Sequence, residues 1–209
     1  MKKIFLFGYS GHSLVVNDCI PNSLTVSGYF DPNKNENNPL GIHYLGNEQE
    51  AELQELKGLG FVFPSVGNNA NRKKMRALFL EHNLSETTLI HPRAVVSPSS
   101  TIGVSTMIGP NAVVNAKAKI GDGVIINSSA IIEHECSIAD YAHIAPGAVL
   151  AGNVTIGEAA FIGANAVVKE GQKIGHGSII GAGSVVLCDI PKMEVWAGVP
   201  AKKIRSLEK

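Results

Sequence analysis

A strict six-residue period in the second half of the chain limits the folds that it can adopt. Every sixth residue from Ile102 to Val186 is Ile, Val or Leu, over fifteen positions without a slip in register. Neither a helix of 3.6 residues per turn nor an alternating hairpin sustains such a period. The pattern predicts a coil of short strands, in which three six-residue faces close a triangular turn of about 18 residues and the aliphatic side chains stack along the axis.

The residues around each aliphatic position agree with this interpretation. Two places before it the residue is mostly small, as at Ala112, Ala118, Ala130, Ala142, Ala148, Ala160, Ala166, Ser178 and Ser184. Small side chains fit where such a prism narrows, and the Gly that often follows the aliphatic residue helps the chain to turn. We therefore expect an all-β coil over residues 86–209.

Residues 1–85 follow a different pattern, in which strand-like and helix-like segments alternate. Apolar runs predict strands at 3–8, 25–31 and 60–69, and helical spacing or capping residues predict helices at 12–20, 47–58 and 70–83. This alternation is typical of a small Rossmann-like parallel α/β domain, in which the loops at the carboxyl ends of the strands meet at one edge.

Composition excludes several classes of protein. The chain has 18 basic and 18 acidic residues, so no charge excess points to nucleic acid or to an anionic membrane. The three cysteines, Cys19, Cys136 and Cys188, have the spacing of neither a disulfide framework nor a zinc site, and we expect no metal. The N-terminus lacks the long apolar core of a signal peptide, so the expected location is the cytoplasm.

Three loops at the predicted carboxyl edge are candidates for binding a nucleotide. They contain Gly8, Ser10, Gly11 and His12 in "GYSGHS", Asp31 after the second strand, and Gly67 and Asn68 in "VGNN". A glycine turn before a helix can hold a phosphate, and an acidic residue ending the second strand can bind a ribose or a base. The dinucleotide fingerprint requires Gly at positions 8, 10 and 13, and only Gly8 qualifies, which disfavours NAD. A smaller nucleotide ligand and a set of ordinary α/β loops both remain open.

The segment "IIEHECSIADYAHIAPGAVLAGN" contains the residues that suggest catalysis. His134 and Glu135 fall at a predicted corner of the triangle. There the carboxylate either orients the imidazole ring for general base catalysis or belongs to a solvated polar corner. His143 follows nine residues later, which is half a turn, so the two histidines are expected on opposite sides of the prism, roughly 15 Å apart. A site that uses both would lie between neighbouring chains, for which a trimer is the natural arrangement.

The order of motifs "GYSGHS … VGNN … IHP … NAKAKIG … IEHECSI … AHIAPGAVLAGNVTIG … WAGVPAKKI" resembles the hexapeptide-repeat sugar O/N-acetyltransferases, and within them the nucleotide-amino-sugar N-acetyltransferases. The resemblance covers nearly the whole chain. It implies a left-handed parallel β-helix, a homotrimer, an α/β domain that binds the nucleotide sugar, and acetyl-coenzyme A in the groove between neighbouring β-helices.

The resemblance also implies roles for individual residues. His134 would be the catalytic base and Glu135 its partner, and His143 and Gly152 would belong to the acetyl-binding side. Gly198, Pro200 and Lys202 in "GVPAK" match a segment that contacts the coenzyme, while Ser13 stands where the family often has Gly.

These roles lead to an expected mechanism of direct transfer to the amine of a nucleotide-linked sugar. A backbone N–H near Gly152 of a neighbouring subunit would polarise the thioester carbonyl. Cys136 falls in the inward small-residue position, where a buried thiol is inert, which argues against a covalent route.

Two other functions remain compatible with the sequence. The same residues would serve O-acetylation of a sialic-acid-type sugar, and a non-enzymatic nucleotide-sugar-binding scaffold would need no base at His134. For the N-acetyltransferase, a UDP-linked sugar is the first expectation.

Overall fold

The computed structural model describes residues 1–207. Its N-terminal part contains a four-stranded sheet in the order β3-β2-β1-β4, with all neighbouring strands parallel. The elements are β1 (Lys2–Phe7), α1 (Gly11–Asp18), β2 (Leu24–Phe30), β3 (Tyr44–Gly46), β4 (Gly60–Pro64) and α2 (Asn69–Glu81). The predicted Rossmann-like sheet is confirmed, although β4 ends at Pro64, earlier than the apolar run suggested.

The helix predicted at 47–58 is wrong. Asn47 does initiate turns, because its side-chain oxygen accepts from the Gln49 amide at 3.0 Å and its carbonyl accepts from the Glu50 amide at 3.1 Å. Glu52 then leaves the helical region with ψ 69°, and only a short 3₁₀ helix follows at Leu53–Leu56. Leu53 is buried in the core beside α2, and burial of this side chain outweighs the local helical signal.

The second part is a coil of two-residue strands that contribute six, six and five strands to three sheets, the first of which reaches eight strands with the C-terminal hairpin. The coil strands are β5 (Leu89–Ile90), β6 (Val95–Val96), β7 (Thr101–Ile102), β8 (Met107–Ile108), β9 (Val113–Val114), β10 (Lys119–Ile120), β11 (Ile125–Ile126), β12 (Ile131–Ile132), β13 (Ser137–Ile138), β14 (His143–Ile144), β15 (Val149–Leu150), β16 (Thr155–Ile156), β17 (Phe161–Ile162), β18 (Val167–Val168), β19 (Lys173–Ile174), β20 (Ile179–Ile180) and β21 (Val185–Val186). Each pairs in parallel with the strand one coil later, as Ile132 does with Leu150. The fold is the expected left-handed parallel β-helix.

The backbone repeats the six-residue period at the corners of the triangle. A residue with positive φ recurs at Ser105, Asn111, Lys117, Gly123, Ser129, Glu135, Tyr141, Gly147, Asn153, Ala159, Asn165, Gly171, Gly177 and Gly183. Residues other than Gly are uncommon in this region, Asn excepted, because the Cβ atom is crowded there. The β-helix therefore imposes its turn conformation on Glu135, whose φ is 61°.

A hairpin closes the described chain. Strand β22 (Glu194–Ala197) adds to the eight-stranded sheet beside β20, and β23 (Lys202–Ser206) pairs with it in antiparallel fashion. The predicted coil domain ran to residue 209, and its last two residues lie outside the described ones. The predicted boundary at residue 85 falls in the segment between α2 and β5.

The α/β domain packs on the eight-stranded sheet of the β-helix. Met107 and Ile125 of that sheet share one apolar core with Ile4 and Leu6 of β1. The carboxyl edge of the small sheet is therefore held close to the coil strands that carry His143. In residues 1–207, no helix has the length and apolar character needed to cross a membrane.

Candidate active site

His134 and Glu135 occupy the corner between β12 of the six-stranded sheet and β13 of the five-stranded sheet. The His134 Nδ1 atom lies 3.3 Å from Glu135 Oε2, and the two side chains are 60% and 55% exposed. A carboxylate at Nδ1 favours the tautomer that carries a proton there, which leaves Nε2 free to accept one. The corner can therefore present a base to a ligand from solvent.

Gly152 lies against the imidazole ring of His134 in the same chain. A Cβ atom at Gly152 would come 2.6 Å from His134 Cε1. The reason is the coil length, since position 152 is one coil after position 134 and the Asn153 amide donates to the His134 carbonyl at 2.9 Å. The sequence analysis expected the N–H near Gly152 to come from a neighbouring subunit, whereas the structure brings Gly152 and His134 together within one chain.

His143 lies on β14, in the eight-stranded sheet, and the corner that carries His134 is opposite that sheet. The two histidines are thus on different sides of the prism. His143 points off the outer face of the coil, but the α/β domain covers it, and only 8% of the residue is exposed.

Hydrogen bonds hold His143 in one neutral form. Its Nδ1 atom lies 3.3 Å from the Gly67 carbonyl, which only accepts, and its Nε2 atom lies 3.1 Å from Asn127 Nδ2. The Asn127 side-chain oxygen is occupied by the Ser128 amide, so its NH₂ group faces the ring. Burial, followed by the charge of Arg72, lowers the pKa of His143 to about 3. His143 is therefore a neutral ring whose two nitrogens are both engaged in hydrogen bonds.

Arg72 is a component of the site that sequence reasoning missed. Its guanidinium group is buried and donates to the Gly123 carbonyl at 2.6 Å, the Tyr141 carbonyl at 2.7 Å and the Gly67 carbonyl at 3.1 Å. Burial lowers the pKa of Arg72 to about 10. One side chain of α2 thereby ties the "VGNN" loop to two coils of the β-helix. In the sequence "NRKKMRAL", Arg72 is one of several basic residues on a helix and looks exposed to solvent, so the sequence does not indicate its role.

The glycine turn after β1 has a backbone conformation that favours glycine. Gly8 has φ 97°, and a side chain there would collide with Val66. Ser10 precedes α1 without capping it through its side chain. Its carbonyl accepts from the buried Ser13 hydroxyl at 2.5 Å, so Ser13 stabilises the turn.

His12 leaves a buried polar atom unused in this region. Its Nε2 atom has no hydrogen-bond partner among the described residues, and its ring lies 6.3 Å from the ring of His143. Burial, then the charge of Arg72, lowers the pKa of His12 to about 4. His12 is therefore a neutral group that a ligand in this region can engage.

The other predicted loop residues have structural partners. Asn68 caps α2, its side-chain oxygen accepting from the Asn71 amide at 3.0 Å. Asp31 accepts from the Tyr9 amide at 2.9 Å and from the Asn33 amide at 3.3 Å, through different oxygens. The structure brings these loops to one edge, as expected, and about half of the hydrogen-bonding capacity of the Asp31 carboxylate serves the loops themselves.

The "GVPAK" turn lies between β22 and β23, where Gly198, Pro200 and Lys202 are all exposed. An opening of about 480 Å³ lies between the start of α2 and strands β17 and β20, and Asn69, Phe161 and His176 line it. The sequence pattern around His176 predicts no role for it. Among residues 1–207, no cluster of three or more His, Cys, Asp or Glu side chains is placed to hold a metal ion.

Cys136 has its side chain inside the coil. It is fully buried, and its thiol donates to the Ala151 carbonyl at 3.2 Å. Burial raises the pKa of the Cys136 thiol. Because the thiolate is the nucleophilic form, this position does not favour covalent chemistry.

Two family models match the chain. The PglD N-terminal domain model matches residues 3–77, and the bacterial transferase hexapeptide model matches residues 117–152 and 153–188. These two matches correspond to the α/β domain and to the central coils of the β-helix.

Solved structures extend the similarity over the full chain. One is a histidine-to-asparagine mutant of perosamine N-acetyltransferase from Caulobacter crescentus in complex with CoA and GDP-perosamine. It is 34% identical with a TM-score of 0.89, and the match covers 99% of this chain and 98% of that one. Another is the acetyltransferase domain of PglB from Neisseria gonorrhoeae in complex with acetyl coenzyme A, at 32% identity and a TM-score of 0.88, covering 97% and 99%.

A third structure, WeeI from Acinetobacter baumannii, has a TM-score of 0.84 at 24% identity over 98% of this chain and 100% of that one, and it supports the fold alone. The two closer matches exceed 30% identity over nearly the whole length of both chains. The chain is therefore an acyltransferase of the hexapeptide-repeat family that carries a PglD-type N-terminal domain.

Proposed function

We propose that the chain transfers the acetyl group of acetyl-CoA to the amine of a nucleotide-linked amino sugar. The single observation that carries this proposal is the exposed His134–Glu135 pair with the Gly152 backbone against the imidazole ring. It supplies a base and an amide at one point of the surface. The similarity to PglB and to perosamine N-acetyltransferase supports the choice of co-substrate and of amine.

The reaction is direct transfer. The neutral amine attacks the thioester carbonyl carbon, and His134 Nε2 takes a proton from the nitrogen as the C–N bond forms. Glu135, at Nδ1, stabilises the imidazolium ion. The C–S bond then breaks, CoA leaves as the thiolate, and the imidazolium returns its proton to the sulfur.

Gly152 is suited to bind the oxygen of the tetrahedral intermediate. Among the residues that the structure describes, no backbone carbonyl accepts from the Gly152 N–H. A free amide beside the base can donate to the negative charge that develops on the carbonyl oxygen. Base and oxyanion donor then come from the same chain.

A homotrimer completes the site. The α/β domain covers the eight-stranded sheet, whereas His134 lies at the opposite corner. A sugar held by Gly8, Ser10, Gly11, His12, Asp31, Gly67 and Asn68 is therefore on the wrong side of its own prism. It can reach His134 of a neighbouring chain, with acetyl-CoA along the groove between them and in contact with His143, Gly198, Pro200 and Lys202. Sedimentation or light scattering should give three times the chain mass, and a monomer at assay concentration contradicts the shared site.

The proposed function is tested by substrate choice. The full-length protein is incubated with acetyl-CoA and with UDP- and GDP-linked amino sugars, their hydroxyl analogues, and free nonulosonic acids, while thiol release and product mass are followed. We expect an amide product, stable to hydroxylamine, from a nucleotide amino sugar. Hydroxylamine-labile ester formed only from nonulosonic acids would establish O-acetylation instead, and absence of turnover with every acceptor would favour a binding scaffold.

A further inference from the structure

A cleft of about 430 Å³ opens at the carboxyl edge of the small sheet, between the loops after β2 and β3 and the exposed side of α2. Its polar lining comes from Asp31, Glu48, Gln49, Asn71 and Lys74. Met75 and Leu78 of α2 supply an apolar wall. Such a cleft, apolar with a few polar groups, is the usual form of a small-ligand site.

Glu48 is the unusual group in this cleft. The residue is only 8% exposed, and its Oε2 atom is buried without a hydrogen-bond donor in residues 1–207. Burial of an unpaired carboxylate oxygen costs free energy, and native proteins rarely retain such a group without a use. A ligand that brings its own N–H or O–H donors into the cleft would satisfy it once the Glu48 carboxylate turns this oxygen toward the cleft.

Asp31, the other carboxylate in the lining, differs in this respect. Both of its oxygens already accept backbone amides, from Tyr9 and from Asn33. Asp31 therefore holds two loops together while it lines the cleft, and Glu48 is the carboxylate with an oxygen that no donor in residues 1–207 engages.

We propose that this cleft binds the guanine base of the nucleotide sugar and that Glu48 selects it. Guanine presents N1–H and the N2 amino group side by side, which matches the two oxygens of one carboxylate. Uracil presents a single N–H between two carbonyl oxygens, which a carboxylate repels. Lys74 and Asn71 carry donors suited to guanine O6 and N7.

This inference rests on the proposed function, and it replaces the first expectation of a UDP-linked sugar with a GDP-linked one. It assigns only the nucleobase of the substrate. The chemistry at His134 does not depend on the nucleobase, so the guanine site and the acetyl transfer can fail separately.

Calorimetric titration of the full-length protein with GDP, IDP and UDP tests the inference without any mutation. IDP has the N1–H of guanine but lacks its N2 amino group. A site built around paired donors rejects an analogue that leaves a buried group unpaired. We expect GDP to bind at least about tenfold more tightly than IDP or UDP. Equal or tighter binding of UDP would overturn the assignment.

Glu48→Gln assigns the effect to the carboxylate. The amide replaces one acceptor with a donor, so GDP should lose about tenfold or more in affinity and the GDP-to-IDP ratio should fall to about one. Glu50→Gln, an exposed carboxylate on the same loop, is the matched control and should leave both values unchanged. An unaltered ratio in Glu48→Gln would refute the role of Glu48.

Acetyl transfer separates this inference from the proposed function. Turnover of UDP-linked amino sugars without a preference for GDP would remove the guanine site and leave the N-acetyltransferase intact. Tight GDP binding without acetylation of any nucleotide amino sugar would keep the guanine site and remove the proposed N-acetyltransferase activity.

Discussion

Gly152 and His134 are in contact across one coil of the β-helix, with space for no side chain at position 152 beside the imidazole ring. The residue in this contact has a backbone N–H from which no backbone carbonyl of residues 1–207 accepts. It is a consequence of the repeat, because residues 18 apart stack directly in this coil, as the pairing of β12 with β15 shows. A catalytic corner can thus be assembled from two successive coils of one chain.

Gly152→Ala should reduce kcat by at least about tenfold, because the new methyl group displaces the His134 ring. Ala116, Ala164 and Ala182 occupy the equivalent corner position in other coils, so the backbone tolerates Ala there. Steady-state kinetics and thermal unfolding together check this expectation. In a His134→Asn background the same substitution should change little further, and additive losses would show that Gly152 acts independently of the ring.

Arg72→Met should destabilise the protein by about 3 kcal/mol or more, because carbonyl groups in both domains lose a buried donor. Urea denaturation measures the loss. Lys73→Met is the matched control, since its ion pair with Glu158 is at the surface and should contribute less than about 1 kcal/mol. Similar effects of the two substitutions would show that the Arg72 contacts do not hold the domains together.

Stability should fall as the pH is lowered from about 6.5 toward 4. Burial, followed by the charge of Arg72, lowers the pKa of His143 to about 3 and of His12 to about 4, from an ordinary value of 6.5. Below pH 6.5 the unfolded chain binds protons that the folded chain refuses, so acid favours unfolding. Above pH 6.5 both imidazole rings are neutral in the folded and in the unfolded chain, so their contribution to stability is fully present.

The histidine origin of this acid sensitivity is tested by substitution. Each histidine adds at most about 1.4 kcal/mol per pH unit to the slope of the unfolding free energy. Urea midpoints between pH 4 and 7 should therefore show a shallower slope in His143→Gln than in the wild type. His43→Gln, at an exposed histidine, serves as the comparison, and an unchanged slope in His143→Gln would contradict the assignment.

Cys136→Ala should retain acetyl transfer to within about a factor of two, because the thiol lies inside the coil and takes no part in the reaction. Thiol titration of the native protein should detect Cys188, which is exposed, and should detect Cys19 and Cys136 only after unfolding. Burial raises the pKa of Cys19 to about 12. Loss of turnover in a folded Cys136→Ala protein would instead revive a covalent route.

The coil was predictable because each aliphatic residue from Ile102 to Val186 makes the same contact one coil later, and periodicity reports such contacts directly. The absence of a helix at 47–58 was not predictable, because burial of Leu53 depends on tertiary packing, which local residue spacing does not report. Glu48 and Arg72 lie in polar segments that look solvated, and only the folded chain shows that they are buried. The contact between His134 and Gly152 within one chain could have been predicted from their spacing of one coil, 18 residues.

The role of His134 as the base is the central claim, and its most direct measurement is kcat for acetyl transfer in His134→Asn. Asparagine keeps a polar side chain at the corner but cannot take the proton, so kcat should fall by about 10²–10⁴ while KM for acetyl-CoA and the unfolding midpoint stay close to wild type. The residual rate should also no longer show the pH dependence that the general base gives to the wild-type rate. A folded His134→Asn protein with wild-type kcat and an unchanged pH profile would contradict the account.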